Sequence, residues 1–254
     1  MTDIACVGLL GSYSVAERYT AVKALSHILS AGSAQALLAR ANDEHEHIYV
    51  RLEAAAGLAR AGQAVGIQFI QRTLVDQFLA HRLEAVIILG EIRLPESVQT
   101  LTAVLLDSAQ HAEIRAGAAW ALGELQQPSS VDALIQVFLE LAEPIRIEAA
   151  RALRKIAATT GANISAGFPA AQEDQRAGIA WALGRSGRIN LAELLQMMVD
   201  DDARRWVAYI LGTQDKNAFL TEIEELRRRD PEVYFAVTVL WKILASWVYE
   251  VEEF

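Results

Sequence analysis

The chain has 254 residues, of which 53% are apolar, 7% are aromatic and 5 are proline. This composition favours packed helices over β-sheets and over disorder. The net charge of −9 argues against a nucleic-acid-binding protein, because a phosphate backbone attracts a positively charged surface.

The single cysteine, Cys6, excludes an intramolecular disulfide and a cysteine-based zinc site, and we expect it to be buried in the first helix. No uninterrupted apolar run reaches the roughly 18 residues that span a membrane. No basic flank precedes the short apolar stretch at the N-terminus. We therefore expect a soluble, cytoplasmic protein without membrane contact.

A short segment that begins with arginine recurs along the chain. Residues 115–123 read Arg-Ala-Gly-Ala-Ala-Trp-Ala-Leu-Gly, and residues 176–184 read Arg-Ala-Gly-Ile-Ala-Trp-Ala-Leu-Gly. Counting the weaker copies, the arginines are Arg18, Arg51, Arg82, Arg115, Arg146, Arg176 and Arg204, each followed seven residues later by leucine. They are separated by 33, 31, 33, 31, 30 and 28 residues, and an eighth, degenerate copy begins at Val233. Such a period is typical of a repeat array.

Each repeat is predicted to hold two helices, the second of which carries the arginine. Pro95 and Pro128 mark the starts of two first helices, and Gly62 stands where a second helix should end. The second helices are predicted at residues 16–30, 50–61, 82–93, 112–125, 145–158, 175–186, 202–212 and 231–250. The pattern predicts an all-α fold, a single right-handed α-solenoid of about eight two-helix repeats over residues 1–254.

Two segments depart from the pattern. Residues 159–174 contain two glycines and a proline in place of a regular first helix; a stunted, kinked helix and a loop that bends the superhelix are both compatible with them. Residues 216–250 are predicted to form a C-terminal pair of capping helices, because a terminal repeat lacks a neighbour. A second interpretation is that the aromatic residues of the last helix dock on another protein. They include Trp241, Trp247 and Tyr249.

One face of each second helix is predicted to form the core between repeats. With the arginine as position 0, positions 3, 4 and 7 share this face and hold small residues followed by leucine. The arginine lies near the helix start, where the helix dipole disfavours a cation. We therefore predict a structural ladder in which each arginine pairs with a carboxylate of the preceding turn; ligand binding is the alternative. The predicted partners are Glu17, Asp43, Asp76, Glu113, Glu143, Asp174 and Asp202.

Positions 2, 5, 6 and 9 lie opposite the core and are predicted to line the concave side of the solenoid. Trp120 and Trp181 stand at position 5, and in both repeats the glycine at position 2 is expected to leave room beside the ring. Two interpretations stay open: a partner-binding groove or internal packing of the rings. In the groove interpretation the anchors are Trp120, Trp181, Tyr209 and Ile87, while Arg151, Lys155 and Arg185 face carboxylates of the partner.

No catalytic motif accompanies the repeats. The sequence contains neither Gly-x-Ser-x-Gly, nor a glycine-rich phosphate loop, nor His-Glu-x-x-His. His45 and His47 form a His-x-His pair, which we interpret as part of a solvated loop rather than as a metal site. We expect no catalytic residue, no metal and no cofactor.

The pattern Arg-(x)2-Ala-Ala-x-Ala-Leu-Gly after an acidic turn, over roughly residues 14–213, resembles the HEAT-like repeats of the phycobilisome lyase type. The resemblance implies a HEAT-like superhelix, an architecture that mostly serves as a protein-binding scaffold. We therefore expect a non-catalytic adaptor that holds another protein on its concave surface. The resemblance also implies an alternative, a bilin lyase or bilin-protein chaperone that acts on phycobiliproteins with a second subunit. Repeat-built DNA glycosylases share the architecture, but the acidic charge opposes that function.

Overall fold

The computed structural model describes residues 3–28, 30–188 and 191–213, with shorter stretches at 221, 224–225, 227–232 and 234–235. These residues form helices and turns, and no strand occurs among them. The chain divides into two compact units, Met1–Ser130 and Val131–Phe254. Most of the predicted C-terminal helix pair at 216–250, including Trp241, Trp247 and Tyr249, lies outside the described residues.

The first unit alternates first and second helices without interruption. They are α1 (Asp3–Leu9), α2 (Val15–Ile28), α3 (Ala31–Asn42), α4 (Ile48–Arg60), α5 (Ala64–Thr73), α6 (Leu79–Ile92), α7 (Ser97–Leu106) and α8 (Ala112–Leu125). A 3-10 turn, Pro128–Ser130, follows α8. The second helices α2, α4, α6 and α8 contact one another in that order.

The second unit is less regular. It contains α9 (Val131–Gln136), α10 (Glu143–Thr160), α11 (Glu173–Gly184), α12 (Leu191–Met197) and α13 (Asp201–Gly212). Between α10 and α11, where other repeats have a first helix, the chain forms only the 3-10 turn Phe168–Ala170. Gly161 ends α10 with a φ of 68°, a left-handed conformation that glycine adopts without steric cost.

The described second helices begin and end within about three residues of the predicted ranges, and the predicted all-α repeat fold is confirmed. The core face was predicted correctly as well. The leucines at position 7 of the first unit, Leu25, Leu58, Leu89 and Leu122, are fully buried, and the small residues at positions 3 and 4 of these helices are buried beside them. Each buried leucine adds about 2 kcal/mol to the free energy of unfolding, because folding removes its side chain from water. Cys6 lies buried in the same core, as expected.

Candidate functional site

Three of the recurrent arginines, Arg18, Arg82 and Arg176, connect neighbouring repeats. Arg18 donates through Nε and Nη2 to the two carboxylate oxygens of Glu46, at 2.8 and 2.9 Å. Its Nη1 also donates to the backbone carbonyl of Ser12 at 2.7 Å. Glu46 is buried and follows Arg18 by 28 residues, so it belongs to the turn of the next repeat. One guanidinium therefore binds its own repeat and the following one.

Arg176 repeats this arrangement in the second unit. Its Nη1 and Nη2 donate to the two oxygens of Asp200 at 3.1 and 2.9 Å, and its Nε and Nη2 reach the carbonyls of Phe168 and Pro169. Asp200 also caps α13 by accepting from the backbone N–H of Ala203 at 2.7 Å. The hydrogen bonds from Arg176 and Ala203 hold the pKa of the Asp200 carboxyl below its ordinary value.

Backbone carbonyls explain how a cation is tolerated at the start of a second helix. Arg51 donates to the carbonyl of Ala41 at 3.1 Å, and Arg115 donates to the carbonyl of Leu105 at 2.7 Å. Both carbonyls belong to the last turn of a first helix, α3 or α7. The negative end of that helix dipole favours the guanidinium, which offsets the unfavourable dipole of the arginine's own helix.

The partners predicted in the preceding turn are wrong for Arg18, Arg51 and Arg82. Glu17 accepts from Ser12, Asp43 lies 3.5 Å from Arg40, and Asp76 accepts from the backbone N–H of Phe78. Arg82 instead donates to Gln110 at 3.1 Å, 28 residues later. Arg204 does pair with its preceding turn, but with Asp201 at 2.9 Å and not with the predicted Asp202. The side chain of Arg146 makes no hydrogen bond or ion pair in the described part of the chain. The guanidinium groups of Arg18 and Arg82 extend toward the next repeat, away from the turn that precedes their own helix.

A cavity of about 330 Å³, here called the inner groove, lies on the second helices of the first unit. Positions 5 and 9 supply nearly all of its lining, so these two positions share one surface as predicted from helical periodicity. The lining residues are Lys23, His27, Arg60, Glu91, Arg93, Trp120 and Glu124. Ile87 stands at position 5 and is half-buried, but it does not line this groove.

Trp120 both packs inside the unit and lines the inner groove. A β-carbon on Gly90 would lie 2.8 Å from Cζ3 of Trp120, so the ring covers the backbone of α6. The glycines at position 2 do not serve the tryptophans. A β-carbon on Gly117 would meet Leu83 and Val86 at 3.2 Å, and one on Gly178 would meet the ring of Phe138 at 2.3 Å. They make room for the preceding elements, which corrects the prediction.

Position 6 does not belong to the inner surface, contrary to prediction. Ile88 and Ala121, which stand there, are buried, and Gly57 at the same position lies against Ser26 of α2. Position 2 is covered in α4, where Glu53 is only 1% exposed. Adjacent second helices approach so closely that residues at these positions fall between the helices.

Charged side chains of both signs line the inner groove. Arg93 pairs with Glu124 at 2.7 Å, and Arg60 lies 3.5 Å from the buried Glu53. Glu91 has no ion pair among the described residues. Glu84 lies on the same face of α6 as Glu91. Burial is the main cause that raises the pKa of Glu84 above its ordinary value, and the charges of Glu91 and Glu53 raise it further. The potential near these carboxylates is therefore negative.

Lys23 experiences the same negative potential. Burial of its ammonium group opposes the shift, but Glu53, Tyr19 and Glu91 together raise the pKa of Lys23 above its ordinary value. Tyr19 lies beneath this lysine, with 5.8 Å between Nζ and the ring centre. The groove thus combines one half-buried indole with cations and carboxylates, and the carboxylates Glu91 and Glu53 act on Lys23.

The second unit places three predicted residues together. The Arg185 guanidinium lies 4.9 Å from the Trp181 ring centre and donates a hydrogen bond to the Tyr209 hydroxyl. A cation over an indole face is attracted by the ring electrons. Arg151 is exposed and pairs with Glu148 of its own helix, while Lys155 is half-buried. Trp181 and Trp120 belong to different units.

Sequence reasoning missed a set of exposed apolar side chains. They stand in or beside the turns that precede second helices: Tyr13, Val75, Phe78, Leu106, Leu141 and Val199. The only available signal was an apolar residue inside an otherwise polar turn. His47 and His111 also lie in these turns, where each accepts a backbone N–H as the N-cap of α4 or α8.

Within the described ranges, no group of three or more His, Cys, Asp or Glu side chains is arranged to hold a metal ion. None of the described helices is long and apolar enough to cross a membrane.

Residues 44–112 and 68–154 match the sequence profile of HEAT repeats, which supports HEAT-like repeats in this part of the all-α fold. No curated protein matches the chain. Among solved structures, an engineered protein is 19% identical, with a TM-score of 0.43 over 84% of this chain and 96% of its own. The complex of CpcE and CpcF of phycocyanin lyase from Nostoc sp. PCC7120 is 18% identical, with a TM-score of 0.42 over 96% of this chain and 95% of that one.

Human deoxyhypusine hydroxylase in complex with glycerol is 18% identical to this chain, with a TM-score of 0.38 over 96% of both chains. At these identities and TM-scores, the structural likenesses carry no conclusion about function.

Proposed function

We propose that this protein is a non-catalytic scaffold that binds a protein partner in the inner groove of its first unit. The observation that carries the proposal is the row of positions 5 and 9, where an indole and charged side chains of four successive second helices line one cavity. A segment of another chain would pass its side chains along this row, one repeat after the next. Trp120 would supply the apolar anchor.

Glu91 sets the chemistry expected of the partner at this point of the groove. Glu91 is exposed without an ion pair among the described residues, and Glu84 and Glu53 add negative charge close to it. A lysine or arginine of the partner would gain by approaching Glu91 and the face of Trp120. The partner is therefore expected to present a basic residue to the groove.

Charge reversal at Glu91 tests the proposal. Affinity capture with the native chain identifies a candidate partner from the source cell, and its affinity is then measured with purified proteins. Glu91→Lys should weaken that binding by roughly ten-fold, because like charges would then meet in the groove. Glu91 is exposed at position 9, so the variant is expected to fold as the native chain does.

Glu96→Lys is the matched control. Glu96 is exposed beside α7, a first helix, and does not line the inner groove. The control makes the same change in net charge, so it should leave the affinity unchanged. Equal affinities of the two variants for the captured protein would place its binding surface elsewhere and refute the groove.

A bilin lyase or bilin-protein chaperone is the second candidate, and one contact favours it. Arg185 lies over Trp181 and donates to Tyr209, so a cation and two aromatic rings stand together, as the propionates and rings of an open-chain tetrapyrrole would require. Mixing the protein with a free bilin and an apo-phycobiliprotein should then shift the visible absorbance. No shift, with or without a second subunit, would remove this candidate.

A further inference from the structure

A second cavity of about 400 Å³ lies among the turns of the first unit. The end of α3, the start of α4 and the helix α5 form its walls, and it shares no lining residue with the inner groove. Two arginines, Arg51 and Arg72, line it together with Phe69. The function proposed for the inner groove does not involve this cavity.

Arg51 is held in place, but most of its donors are unused. Its Nε donates to the carbonyl of Ala41, and its guanidinium stacks on Phe69 at 4.9 Å from the ring centre. In the described part of the chain its two Nη atoms make no hydrogen bond and no ion pair. At the corresponding place in the preceding repeat, Arg18 binds both oxygens of Glu46. Arg51 thus presents an oriented guanidinium without the carboxylate that completes its neighbour.

The missing carboxylate has a cause in the sequence. Glu46 and Gln110, which accept from Arg18 and Arg82, each stand directly before the N-cap of a second helix. The residue in that place before α6 is Gln77, which is exposed and makes no hydrogen bond among the described residues. The repeat that begins at Arg51 has 31 residues, whereas its two neighbours have 33 each. The shorter connection leaves Arg51 without an acceptor.

Arg72 adds a second cation to the cavity. It is exposed, and its Nε donates to the carbonyl of Gln68 at 3.3 Å, which leaves its Nη atoms available. Two carboxylates also line the cavity. Asp76 is engaged by the backbone N–H of Phe78 at 2.8 Å and lies 3.2 Å from Nδ1 of His81, and Glu44 is exposed to solvent. Neither carboxylate pairs with Arg51 or Arg72.

We propose that this cavity binds the oxyanion of a ligand, a carboxylate or phosphate group, between Arg51 and Arg72. The anion takes the place on Arg51 that Glu46 occupies on Arg18. A guanidinium matches either oxyanion with two parallel hydrogen bonds. The volume of about 400 Å³ is in the range of small-molecule sites, so it also accommodates atoms that the anion carries.

The test is a titration of the full chain with sodium phosphate and, separately, with sodium acetate, each against sodium chloride at equal ionic strength. Two signals are followed: the NMR resonances of the arginine Nε–H groups and the thermal unfolding midpoint. Saturable shifts are expected at Arg51 and Arg72. The midpoint should rise by roughly 3 °C at a ten-fold excess over Kd. A response to phosphate alone identifies a phosphate-bearing ligand, and a response to acetate alone identifies a carboxylate.

Arg72→Gln is the deciding variant, because Arg51 also holds the end of α3 and its replacement risks the fold. Arg72→Gln should weaken anion binding at least about ten-fold, because it removes one charge-assisted hydrogen bond to the anion. Arg188→Gln is the control, an exposed arginine of the other unit without an ion pair among the described residues; it should bind as the native chain does. Unsaturable shifts at Arg51, or equal midpoint rises in both variants, would overturn the proposal.

Discussion

At the scale of a single residue, Arg18 and Arg176 each bind two elements at once. Arg18 holds the carbonyl of Ser12 within its own repeat and Glu46 in the next. A need for an acidic partner was predictable from the position of the cation near a helix start. The identity of that partner was not predictable, because Glu46 stands 28 residues away and only the packing of one repeat on the next brings it close to Arg18.

Replacing Glu46 should therefore cost more than removing an ordinary surface charge. Glu46→Gln leaves the half-buried guanidinium of Arg18 without its counter-charge, and we expect a loss of about 2 kcal/mol in the free energy of unfolding. Urea denaturation followed by circular dichroism measures it. Glu96→Gln, at an exposed position, should change stability by less than about 0.5 kcal/mol. Equal losses in the two variants would contradict a stabilising role for the pair.

The Arg18–Glu46 pair also predicts how the stability of the protein depends on pH. Burial alone would raise the pKa of Glu46, but the hydrogen bonds from Arg18 and from the His47 backbone hold it below the ordinary value of 4.5. A pKa lowered by folding stabilises the folded state above 4.5, and this contribution is lost as the pH falls through the folded value. The difference in urea midpoint between the native chain and Glu46→Gln should thus be constant well above pH 4.5 and shrink as the pH falls below it. A difference that stays constant below that pH would count against the pair.

At the scale of the helix, close approach of the second helices determines which residues reach solvent. Helical periodicity correctly grouped positions 3, 4 and 7 in the core, because those positions depend on one helix alone. It failed at position 6, where Ile88 and Ala121 are buried, because burial there depends on the distance to the adjacent second helix. A single sequence does not contain that distance.

Two glycines at the same position of the repeat test this close approach. A β-carbon on Gly90 would lie 2.8 Å from the Trp120 ring and 2.9 Å from Cα of Ala121. Gly90→Ala should therefore push α6 and α8 apart and lower the free energy of unfolding by about 1–3 kcal/mol. It should also change the fluorescence of Trp120, since that ring covers Gly90. Both effects are measured in one urea titration.

Gly212→Ala is the matched control for Gly90→Ala. A β-carbon on Gly212, also at position 8, meets no atom of the described residues within 4 Å. Alanine there should be neutral or slightly stabilising, because it reduces the entropy of the unfolded chain. If both substitutions were neutral, α6 and α8 would have more room between them than the structure shows.

At the scale of the molecule, the first unit contains all the residues that line the inner groove. Helices α2, α4, α6 and α8 pack in sequence, α1 packs on α2, and α3, α5 and α7 each contact two of these second helices. In repeat proteins, stability is close to a sum over such neighbouring pairs. Residues 1–130 expressed alone should therefore fold, with a helical circular dichroism spectrum and a cooperative urea transition.

A shorter fragment, residues 1–96, gives the comparison. It lacks α7 and α8, so it exposes the face of α6 that these helices cover and loses Trp120 from the groove. We expect it to unfold at lower urea than residues 1–130 and to lose partner binding, whereas residues 1–130 should bind the partner of the full chain within about three-fold in Kd. A non-cooperative transition of residues 1–130 would show that the first unit is not an independent folding unit. Cooperative folding without partner binding would instead place the binding surface outside that unit.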